Sequence, residues 1–403
     1  MASLNLLFIH EIEYETKVVY EVHEFPEQLI ARGHRVTFID FPETSSSSNF
    51  SKKRRDRVIS GRVIKDAKLR LLSPIVLGIP LVDRLLATLT FIPLLIGLLR
   101  AQKYDAIVLY AVPTYGWQTI ILAKMFKVPL LYRALDVSHK IRESIFEKPI
   151  EAAEKFIYRR ANRLSANNPA MARYCLESGG RTLPSEVNLP PLDATHFKAA
   201  KTSSSISRAS LGVQPSDKVL MYMGSFFYFS GLVEAIRSFH EQNLADQDFK
   251  LILVGGGEQD EELRTLVRDL KLEKSVTFTG FVDYTVLGEY LSLADIFINP
   301  MKPDLVSNTA FPHKVLQYMA SGRPVVSTKL SGLYETFGDS SGIVWVDEPS
   351  QVAFAAAGLA ENKSAMRQNV AAQTKTVAQV LDMNKCIDSF TATILRTVEG
   401  ERA

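Results

Sequence analysis

Short apolar runs alternate with longer amphipathic stretches along the chain, beginning near its first residue. Residues 4–9 and 35–39 are largely apolar and of strand length, and a helical stretch that ends in LIARGH lies between them. Gly33 falls where the end of a helix favours a positive φ angle. Because crossover connections between parallel strands are right-handed, this pattern predicts a βαβ unit whose two strands are neighbours in one sheet.

The same alternation continues to the end of the chain, with one interruption. Between residues 199 and 218 the composition shifts to Ser, Lys and Thr, which indicates an exposed connection between two domains. Further strands are predicted at residues 105–110, 128–132, 219–222, 250–254, 275–279, 296–299, 324–327 and 342–346, and a helix at 117–126. The predicted fold class is α/β, with two Rossmann-like doubly wound domains that face a central cleft.

The domain bounds follow from these patterns. We expect an N-terminal domain at residues 1–198, a linker at 199–218 and a second Rossmann-like domain at 219–375. The last residues, 376–403, have a helical pattern, and packing back on the N-terminal domain is one candidate arrangement for them.

Composition excludes several classes of protein. The 403 residues include 47 Lys plus Arg and 44 Asp plus Glu, and the net charge of +3 is no whole-chain signature for nucleic acid, which we do not expect as a partner. Cys175 and Cys386 are the only cysteines, so a disulfide framework and a structural zinc site lack ligands. This cysteine usage, and an N-terminus without the basic start of a secretory signal, favour a cytoplasmic location.

Two glycine-rich turns in the second half are candidates for anion binding. YMGSFFYFSGL combines a strand, a glycine turn and a helix start at Gly231, and LILVGGG follows the same plan. Backbone N–H groups at such turns can face an anion, although a tight strand-to-helix connection also explains either turn alone. The second turn does not complete GxGxxG, so a dinucleotide site is not expected.

In chain order, YMGSF with the following SGL, LILVGGG, VTFTGFVDYTVLGEYLSLADIFINP and FPHKVLQYMASGRPVVSTKLSG resemble the donor domain of the GT-B glycosyltransferases of family 4, relatives of glycogen synthase. GHRVTFID and VNLPPLDATHF extend the resemblance more weakly into the first half. It implies transfer of a sugar from a UDP- or GDP-linked donor with retention of configuration, without a required metal and without a bound cofactor. No Asp-x-Asp motif stands at a predicted strand end, so backbone dipoles and cations would balance the diphosphate charge.

The chain departs from the family pattern at four positions. Ser225 and Ser230 stand where the family usually has an Arg and a Lys, and Thr309 and Gln317 replace the family's pair of Glu residues. Gln317 can accept hydrogen bonds from ribose hydroxyls, but without charge assistance. Thr309 supplies no carboxylate, so we expect backbone N–H groups to take over the contacts to the donor sugar. These are the N–H groups of Asn308, Thr309, Ala310 and Phe311.

Lys314 is the cation that we assign to the diphosphate. If a helix starts near Phe311, Lys314 lies in its first turn, where its charge and the helix dipole act on the same phosphate. The alternative is a solvent-exposed lysine. His313 is a weaker candidate, and Lys302 is a candidate mobile second cation.

The resemblance also assigns donor-binding positions outside the Lys314 region. They are Gly224, Ser225, Gly231, Gly280 and Phe281. Gly280 and Phe281 fall where the family holds the nucleotide base, and a plain core position is the alternative for Phe281.

Four residues of the first half are candidates for the acceptor side. Glu11 and Glu13 follow the first strand directly, where a doubly wound domain presents its ligand-binding edge. Asp136 and His139 follow the strand at 128–132, where the family often presents an Asp or a His to the reacting sugars. We name Asp136 first and His139 second as catalytic candidates, with an N-cap of the following helix as the alternative for Asp136.

A basic segment precedes the most apolar run of the chain. Residues 51–70 hold nine basic side chains against two acidic ones, and Lys52, Lys53, Arg54 and Arg55 are consecutive. Residues 85–99 then carry no charge, but the run is short of a bilayer span and is interrupted by Pro93 and Gly97. A basic segment followed by an apolar run favours a protein that lies on an anionic membrane. The alternative is a basic loop followed by a buried crossover helix.

The resemblance thus implies a retaining glycosyltransferase that extends a glycan or a lipid-linked acceptor, and it alone suggests bacterial polysaccharide biosynthesis. A GT-B nucleotide-sugar epimerase or hydrolase is an alternative enzyme. A non-catalytic GT-B scaffold on the membrane is the alternative from another class, suggested by the departures at Thr309, Gln317, Ser225 and Ser230.

Overall fold

The computed structural model describes residues 3–42, 55–79, 82–141, 146–180, 184–197 and 206–400, without the side chains of Arg55 and His196. The chain divides into two compact units, of which the first comprises Met1–Pro191 with Asn384–Ala403 and the second Leu192–Met383. These boundaries differ by several residues from those drawn on the sequence at 198 and 376.

The first unit is built on an eight-stranded sheet in the order β3-β4-β2-β1-β5-β6-β7-β8. Its strands are β1 (Asn5–Ile9), β2 (Arg35–Ile39), β3 (Arg55–Ser60), β4 (Lys68–Ser73), β5 (Ala106–Leu109), β6 (Leu130–Ala134), β7 (Arg163–Ala166) and β8 (Ser185–Val187). All neighbours are parallel except β3 and β4. The central strands β1 and β5 are almost wholly buried, which explains why they appear in the sequence as continuous apolar runs.

Five helices of the first unit lie in the segments that connect these strands. They are α1 (Glu21–Ala31), α2 (Val82–Ala101), α3 (Gly116–Phe126), α4 (Glu147–Arg160) and α5 (Pro169–Gly179). One core cluster joins α2, α3, α4 and α5 to the sheet, through residues such as Phe91, Ile120, Ile157 and Met171. These four helices therefore cover one face of the sheet.

Helix α2 contains the apolar run that the sequence analysis singled out. Within the described ranges it is the one helix whose length and hydropathy would suit a bilayer span, but Phe91, Leu95 and Leu98 of this helix belong to the core cluster. Leu85 and Leu89 are 71% and 67% exposed on its other side. The helix is thus a partly buried crossover helix that also exposes an apolar stripe, and its contact with a membrane stays a prediction.

The described part of the basic segment forms the β3–β4 hairpin, which the sequence analysis did not predict. Asp56 pairs with Arg70 across the two strands at 2.9 Å, and Arg57 pairs with Glu15. The carboxylate of Glu27 accepts hydrogen bonds from the backbone of the connecting turn, including 2.7 Å from the Val63 N–H. Some of the basic side chains of this segment are therefore paired with carboxylates of the same unit. Lys52, Lys53 and Arg54 lie outside the described residues.

The second unit carries a six-stranded parallel sheet in the order β11-β10-β9-β12-β13-β14. Its strands are β9 (Lys218–Met223), β10 (Phe249–Val254), β11 (Val276–Gly280), β12 (Ile296–Asn299), β13 (Val325–Thr328) and β14 (Ile343–Val346). Its helices are α6 (Ala194–Phe197), α7 (Leu232–Glu241), α8 (Asp260–Asp269), α9 (Leu287–Ser292), α10 (Leu305–Thr309), α11 (His313–Ala320), α12 (Ser331–Phe337), α13 (Gln351–Glu361) and α14 (Lys363–Val380). Each of the six strands lies within a residue or two of its predicted range.

The final helix, α15 (Met383–Gly400), packs on the first unit. Phe390 lies against Phe25 of α1 with ring centroids 4.0 Å apart. The guanidinium of Arg133 lies over the Phe390 ring at 5.7 Å, and Asn188 donates to the hydroxyl of Thr393 at 3.0 Å. This helix therefore covers the opposite face of the first sheet from α2.

Candidate functional site

The turns that follow β9 and β10 bring two stretches of backbone into close contact. A Cβ atom on Gly255 would lie 2.1 Å from the carbonyl oxygen of Gly224, and both glycines have positive φ angles, of 129° and 141°. The N–H of Gly224 donates to Val254 at 2.9 Å and that of Phe226 to Gly256 at 3.0 Å. Larger residues would force these turns apart, so the glycines are needed to build the carboxyl edge of the sheet.

One backbone donor remains uncommitted in this turn. Within the described ranges, the N–H of Ser225 has no hydrogen-bond acceptor, and the residue is exposed. The N–H of Gly224, which the sequence analysis also offered to an anion, is used inside the sheet. Ser225 is therefore the position at which this turn can donate to a ligand.

Lys314 extends its ammonium to the same turn from the first turn of α11. Its Nζ donates to the Tyr222 hydroxyl at 2.6 Å and lies 4.2 Å from the centre of the Tyr222 ring. A Cβ atom on Gly224 would lie only 2.9 Å from this Nζ. In the part of the chain that the structure describes, no carboxylate pairs with it. The side chain is half-buried, contrary to the alternative of an exposed lysine.

Burial sets the protonation of this lysine. Desolvation lowers the pKa of Lys314 from 10.5 to about 7, because the ammonium has lost water without gaining a carboxylate. An anion bound beside it would favour the charged form. Among the described residues no carboxylate neutralises this ammonium, so the arrangement suits the binding of an anion.

Helix α11 is held against β9 by Tyr318. Its hydroxyl accepts from the N–H of Met223 at 2.7 Å and donates to the carbonyl of the same residue at 3.0 Å, while its ring stacks on Phe297 at 4.2 Å. Because α11 carries Lys314, His313 and Gln317, this clamp fixes their position relative to the glycine turn. His313 is half-buried at the first residue of the helix.

Gln317 lies one turn farther along α11 and is 6% exposed. Among the described residues nothing forms a hydrogen bond with its side-chain amide. A buried amide without a protein partner can bind a polar ligand group.

Phe281 follows Gly280 at the end of β11 and is exposed, not part of the core. Its side chain is 71% accessible, and its ring lies over the backbone of Gly256, where an added Cβ atom would meet it at 3.1 Å. The core alternative for Phe281 is therefore wrong. An exposed aromatic ring fixed on a glycine turn offers a flat surface for stacking.

The segment around Thr309 differs from expectation. The Thr309 hydroxyl donates to the carbonyl of Leu305 at 2.7 Å, inside α10. The N–H of Asn308 donates to the carbonyl of Asp304 at 2.9 Å, and that of Ala310 donates to the carbonyl of Val306 at 2.8 Å. These two N–H groups were predicted to contact the donor sugar, but they are already used inside the protein. The helical turn of α10 takes up the donors. Phe311 is buried against Phe337, with ring centroids 5.7 Å apart.

Two further donor-side expectations change. A Cβ atom on Gly231 would lie 1.7 Å from the carbonyl oxygen of Pro300, so this glycine serves close backbone packing at the start of α7. Lys302 forms an ion pair with Glu234 at 2.8 Å and is not the mobile cation that the sequence suggested.

In the first unit, Asp136 lies just beyond the carboxyl end of β6. It is exposed, and no helix begins beside it, because α4 starts only at Glu147. The N-cap alternative is therefore wrong. The protein around the carboxyl group displaces water that would stabilise its charged form, and the negative charge of Glu21 adds to this effect. Together they raise the pKa of Asp136 to about 6. Glu21 itself is fixed by a buried pair with Arg133 at 2.7 Å.

His139 is committed to an internal contact. Its Nδ1 lies 2.5 Å from the carboxylate of Glu154 on α4, and the other oxygen of that carboxylate accepts the N–H of Ser138 at 2.6 Å. His139 is 6% exposed, and burial raises the pKa of Glu154. The pair fastens the loop after β6 to α4.

Glu11 and Glu13 are also engaged within the unit. One oxygen of Glu11 accepts the N–H groups of Thr114 and Tyr115, at 2.7 and 3.0 Å, at the start of α3. Its other oxygen lies 3.2 Å from Arg84. Glu13 is buried and accepts the hydroxyl of Thr16 at 2.9 Å. Both carboxylates therefore organise the loop after β1, and their contact with an acceptor stays a prediction.

Two models of known families match the chain. Residues 18–188 match the family described as glycosyl transferase 4-like domain, and residues 217–362 match the one described as glycosyl transferases group 1. The chain belongs to the group 1 glycosyltransferases. The family resemblance identified in the sequence is thereby confirmed.

Two curated relatives align with part of this group 1 glycosyltransferase. An uncharacterized glycosyltransferase of Methanocaldococcus jannaschii is 30% identical over 139 residues, 34% of either chain. The alpha-monoglucosyldiacylglycerol synthase of Streptococcus pneumoniae is 23% identical over 157 residues, 39% of this chain and 34% of the relative. The match thus spans about a third of the length of each relative.

Solved structures resemble the chain over nearly its whole length. The sucrose-phosphate synthase of Thermosynechococcus elongatus has a TM-score of 0.80 at 17% identity, covering 98% of both chains. HepE of Anabaena, solved with UDP-glucose, has a TM-score of 0.74 at 18% identity, covering 97% of this chain and 99% of that one. These likenesses confirm the GT-B fold class.

This group 1 glycosyltransferase has a polar cluster at the carboxyl ends of β1 and β5 that was not predicted from the sequence. The His10 ring stacks on Tyr110 at 5.3 Å, and its Nδ1 accepts the N–H of Glu11 at 2.8 Å. Its Nε2 therefore carries the proton and faces the Tyr20 hydroxyl at 3.2 Å. Burial lowers the pKa of His10 to about 3, so the ring is neutral. The available signal was a polar residue directly after each of two buried strands.

The Tyr110 hydroxyl in this cluster is buried and, within the described ranges, has no hydrogen-bond partner. It lies at the same edge of the sheet as Asp136, which follows the neighbouring strand β6. No group of three or more metal-ligating side chains occurs among the described residues.

Proposed function

We propose that this protein is a retaining glycosyltransferase that moves a sugar from a nucleoside diphosphate sugar to a glycan or a lipid-linked acceptor. The observation that carries the proposal is the ammonium of Lys314, which lies against the glycine turn after β9 without a carboxylate partner among the described residues. Membership of the group 1 glycosyltransferases supports the reaction class.

The diphosphate is bound by this turn in the proposed complex. Lys314 supplies a positive charge, and the N–H of Ser225 supplies a hydrogen bond. Burial lowers the pKa of Lys314, and a diphosphate bound beside the ammonium would raise it again, so that binding of the anion and protonation of Lys314 support each other. In this proposal the protein's own cation stabilises the leaving diphosphate, and no metal ion is required.

The nucleoside is bound by Phe281 and Gln317. The exposed Phe281 ring stacks on the base, and the Gln317 carbonyl accepts from the ribose hydroxyls. UDP-sugars are the first donors to test, because HepE, which shares the fold, has been solved with UDP-glucose.

Asp136 acts on the acceptor. In a retaining front-face reaction the leaving phosphate oxygen takes the proton of the acceptor hydroxyl, and a nearby carboxylate orients that hydroxyl. With a pKa of about 6, Asp136 is ionised at neutral pH and can accept this hydrogen bond. His139 is assigned a structural role, because Glu154 already holds its ring.

The acceptor belongs to polysaccharide or glycolipid synthesis in this proposal, and the enzyme acts in the cytoplasm on the inner face of the membrane. The exposed apolar stripe of α2 supports a membrane surface, since Leu85 and Leu89 face away from the core. The relative from Streptococcus pneumoniae is named as a synthase of a glycolipid, which makes lipid acceptors a reasonable first class to test.

The proposal is tested by incubating the full chain with a panel of UDP- and GDP-sugars, with and without lipid-linked acceptors, and detecting products by mass. Sugar transfer that requires an acceptor and keeps the anomeric configuration supports it. Nucleotide release or sugar conversion without any acceptor would identify an epimerase or hydrolase. A chain that binds no nucleotide would be a scaffold.

A further inference from the structure

A cavity of about 440 Å³ lies in the first unit between α3 and α4. It is lined by the last turns of these helices, including Met125 and Phe156, and by Val128 and Asn162, which precede β6 and β7. Both helices run from the carboxyl ends of their preceding strands to the amino ends of the next. The cavity is therefore at the amino edge of the sheet, opposite the edge that carries Asp136.

The interior of this cavity is apolar. Ile120, Val128, Leu130 and Phe156 are among its lining residues, and no Asp or Glu is. Its volume falls in the range of about 300–1,000 Å³ that is usual for small-ligand pockets. The lining suits a hydrocarbon chain.

Two cations border the apolar interior. Lys124 forms no ion pair or hydrogen bond with any described residue through its ammonium. The guanidinium of Arg160 lies over the Phe156 ring at 5.4 Å and has no carboxylate partner within the same ranges. A cavity with two uncompensated cations and no acidic residue complements a ligand with an anionic head and an apolar tail.

The mouth of the cavity continues into an exposed apolar surface. Ile121 and Met125 line the cavity and are also 42% and 68% exposed. Both side chains belong to the last turns of α3, so the mouth itself is apolar and open to solvent. An apolar, open mouth favours a ligand that comes from a membrane, because a free polar solute would not require apolar surroundings.

We propose that the cavity between α3 and α4 receives an acyl chain of an anionic membrane phospholipid, whose phosphate pairs with Lys124 and Arg160. The site is separate from the sugar-transfer site and does not depend on the proposed function. It would fix the first unit on the bilayer through one specific lipid in addition to the general attraction of the surface.

The test uses monomeric dioctanoylphosphatidylglycerol below its critical micelle concentration, titrated into the full chain by calorimetry. The double variant Lys124→Glu/Arg160→Glu should weaken binding at least about tenfold, because two charge-assisted hydrogen bonds become repulsive. The control Lys363→Glu/Lys375→Glu changes the net charge equally on α14 of the second unit and should bind like the parent. Equal weakening by the two double variants would overturn the assignment, since only net charge would matter.

Two other probes separate the head from the tail. Dioctanoylphosphatidylcholine tests the anionic head, because its head group has no net charge. Deacylated glycerophosphoglycerol tests the acyl chains, because it has none. Both should bind at least about tenfold more weakly than dioctanoylphosphatidylglycerol. Affinity equal to that of the parent lipid for either probe would contradict the proposal. If the chain forms a dimer that the cavity double variant dissociates while lipid binding is unchanged, the apolar surface at the cavity mouth is an interface between copies. This result would also overturn the lipid proposal. UDP-glucose binding by the same variants should be unaltered, so failure here is distinct from failure of the proposed function.

Discussion

The ammonium of Lys314 and the ring of Tyr222 form one unit, in which Nζ lies 4.2 Å from the ring centre and donates to the Tyr222 hydroxyl at 2.6 Å. The hydroxyl in turn donates to the carbonyl of Ser225 at 2.9 Å. This chain of contacts holds the lysine beside the glycine turn without pairing it with a carboxylate of the described residues. The lysine is thus positioned before any ligand arrives, which lowers the cost of ordering it on binding.

The first prediction concerns pH. Because the free protein has a Lys314 pKa of about 7, the lysine is charged below that pH and neutral above it. UDP-glucose affinity should therefore fall as the pH rises through 7, approaching about tenfold per unit if only the charged form binds. Calorimetry across this range measures the effect. Lys314→Met, which keeps much of the length and removes the charge, should give weak binding with a flat profile, and an unchanged slope in this variant would refute the assignment.

Phe281 provides a second prediction. Phe281→Ala should weaken UDP binding by about 1–3 kcal/mol, the usual contribution of a base stacked on an aromatic ring. The melting temperature should hardly change, because the ring is 71% exposed. Phe354→Ala is the control, since Phe354 is also exposed, at 61%, on α13. A loss of stability without a loss of affinity would show that the ring serves packing instead.

Asp136 provides the third prediction. Asp136→Asn should lower kcat by about 10- to 10²-fold, because the acceptor hydroxyl loses a hydrogen bond to a charged group that contributes about 1.5–3 kcal/mol, while the KM for the donor stays close to the parent value. Since the pKa of Asp136 is about 6, the parent activity should rise with pH through that value as the carboxylate ionises. The variant should lose this rise. A variant with the parent profile would remove Asp136 from the mechanism.

The fourth prediction concerns α15. Phe390→Ala should destabilise the protein by about 3–5 kcal/mol, because the ring is fully buried against Phe25 and under the Arg133 guanidinium. Denaturant unfolding followed by circular dichroism measures this. Phe354→Ala again serves as the exposed control and should cost far less. Similar losses in both variants would mean that α15 contributes little to the first unit.

The sequence predicted those parts of the fold whose signal is local. The parallel strands β1, β5 and β10 are buried, so each appears as a short apolar run. The β3–β4 hairpin was missed because its strands carry Arg and Lys at positions whose partners, such as Glu15 for Arg57, are distant in sequence. A run of positive charge in the sequence does not reveal which charges are paired.

In the candidate site, too, the sequence predicted the positions of residues but not their contacts with distant parts of the chain. Glu11 was correctly placed after β1, but its contacts with Thr114 and Tyr115 depend on the packing of a loop that is remote in the chain. The pairing of His139 with Glu154 likewise depends on how α4 docks. Lys314 was found from its motif, yet its depressed pKa follows from burial that only the fold supplies.

The central claim is that Lys314 binds the donor diphosphate, and its most direct test is calorimetric titration of UDP-glucose into the parent, Lys314→Ala and Lys218→Ala. Lys218 begins β9, the strand that ends at the glycine turn, and its ammonium also lies over an aromatic ring, 5.0 Å from that of Phe249. We predict that Lys314→Ala loses at least about tenfold in affinity, as expected for a charge-assisted hydrogen bond to phosphate, and that Lys218→Ala binds like the parent. Parent-like binding by Lys314→Ala would contradict the account.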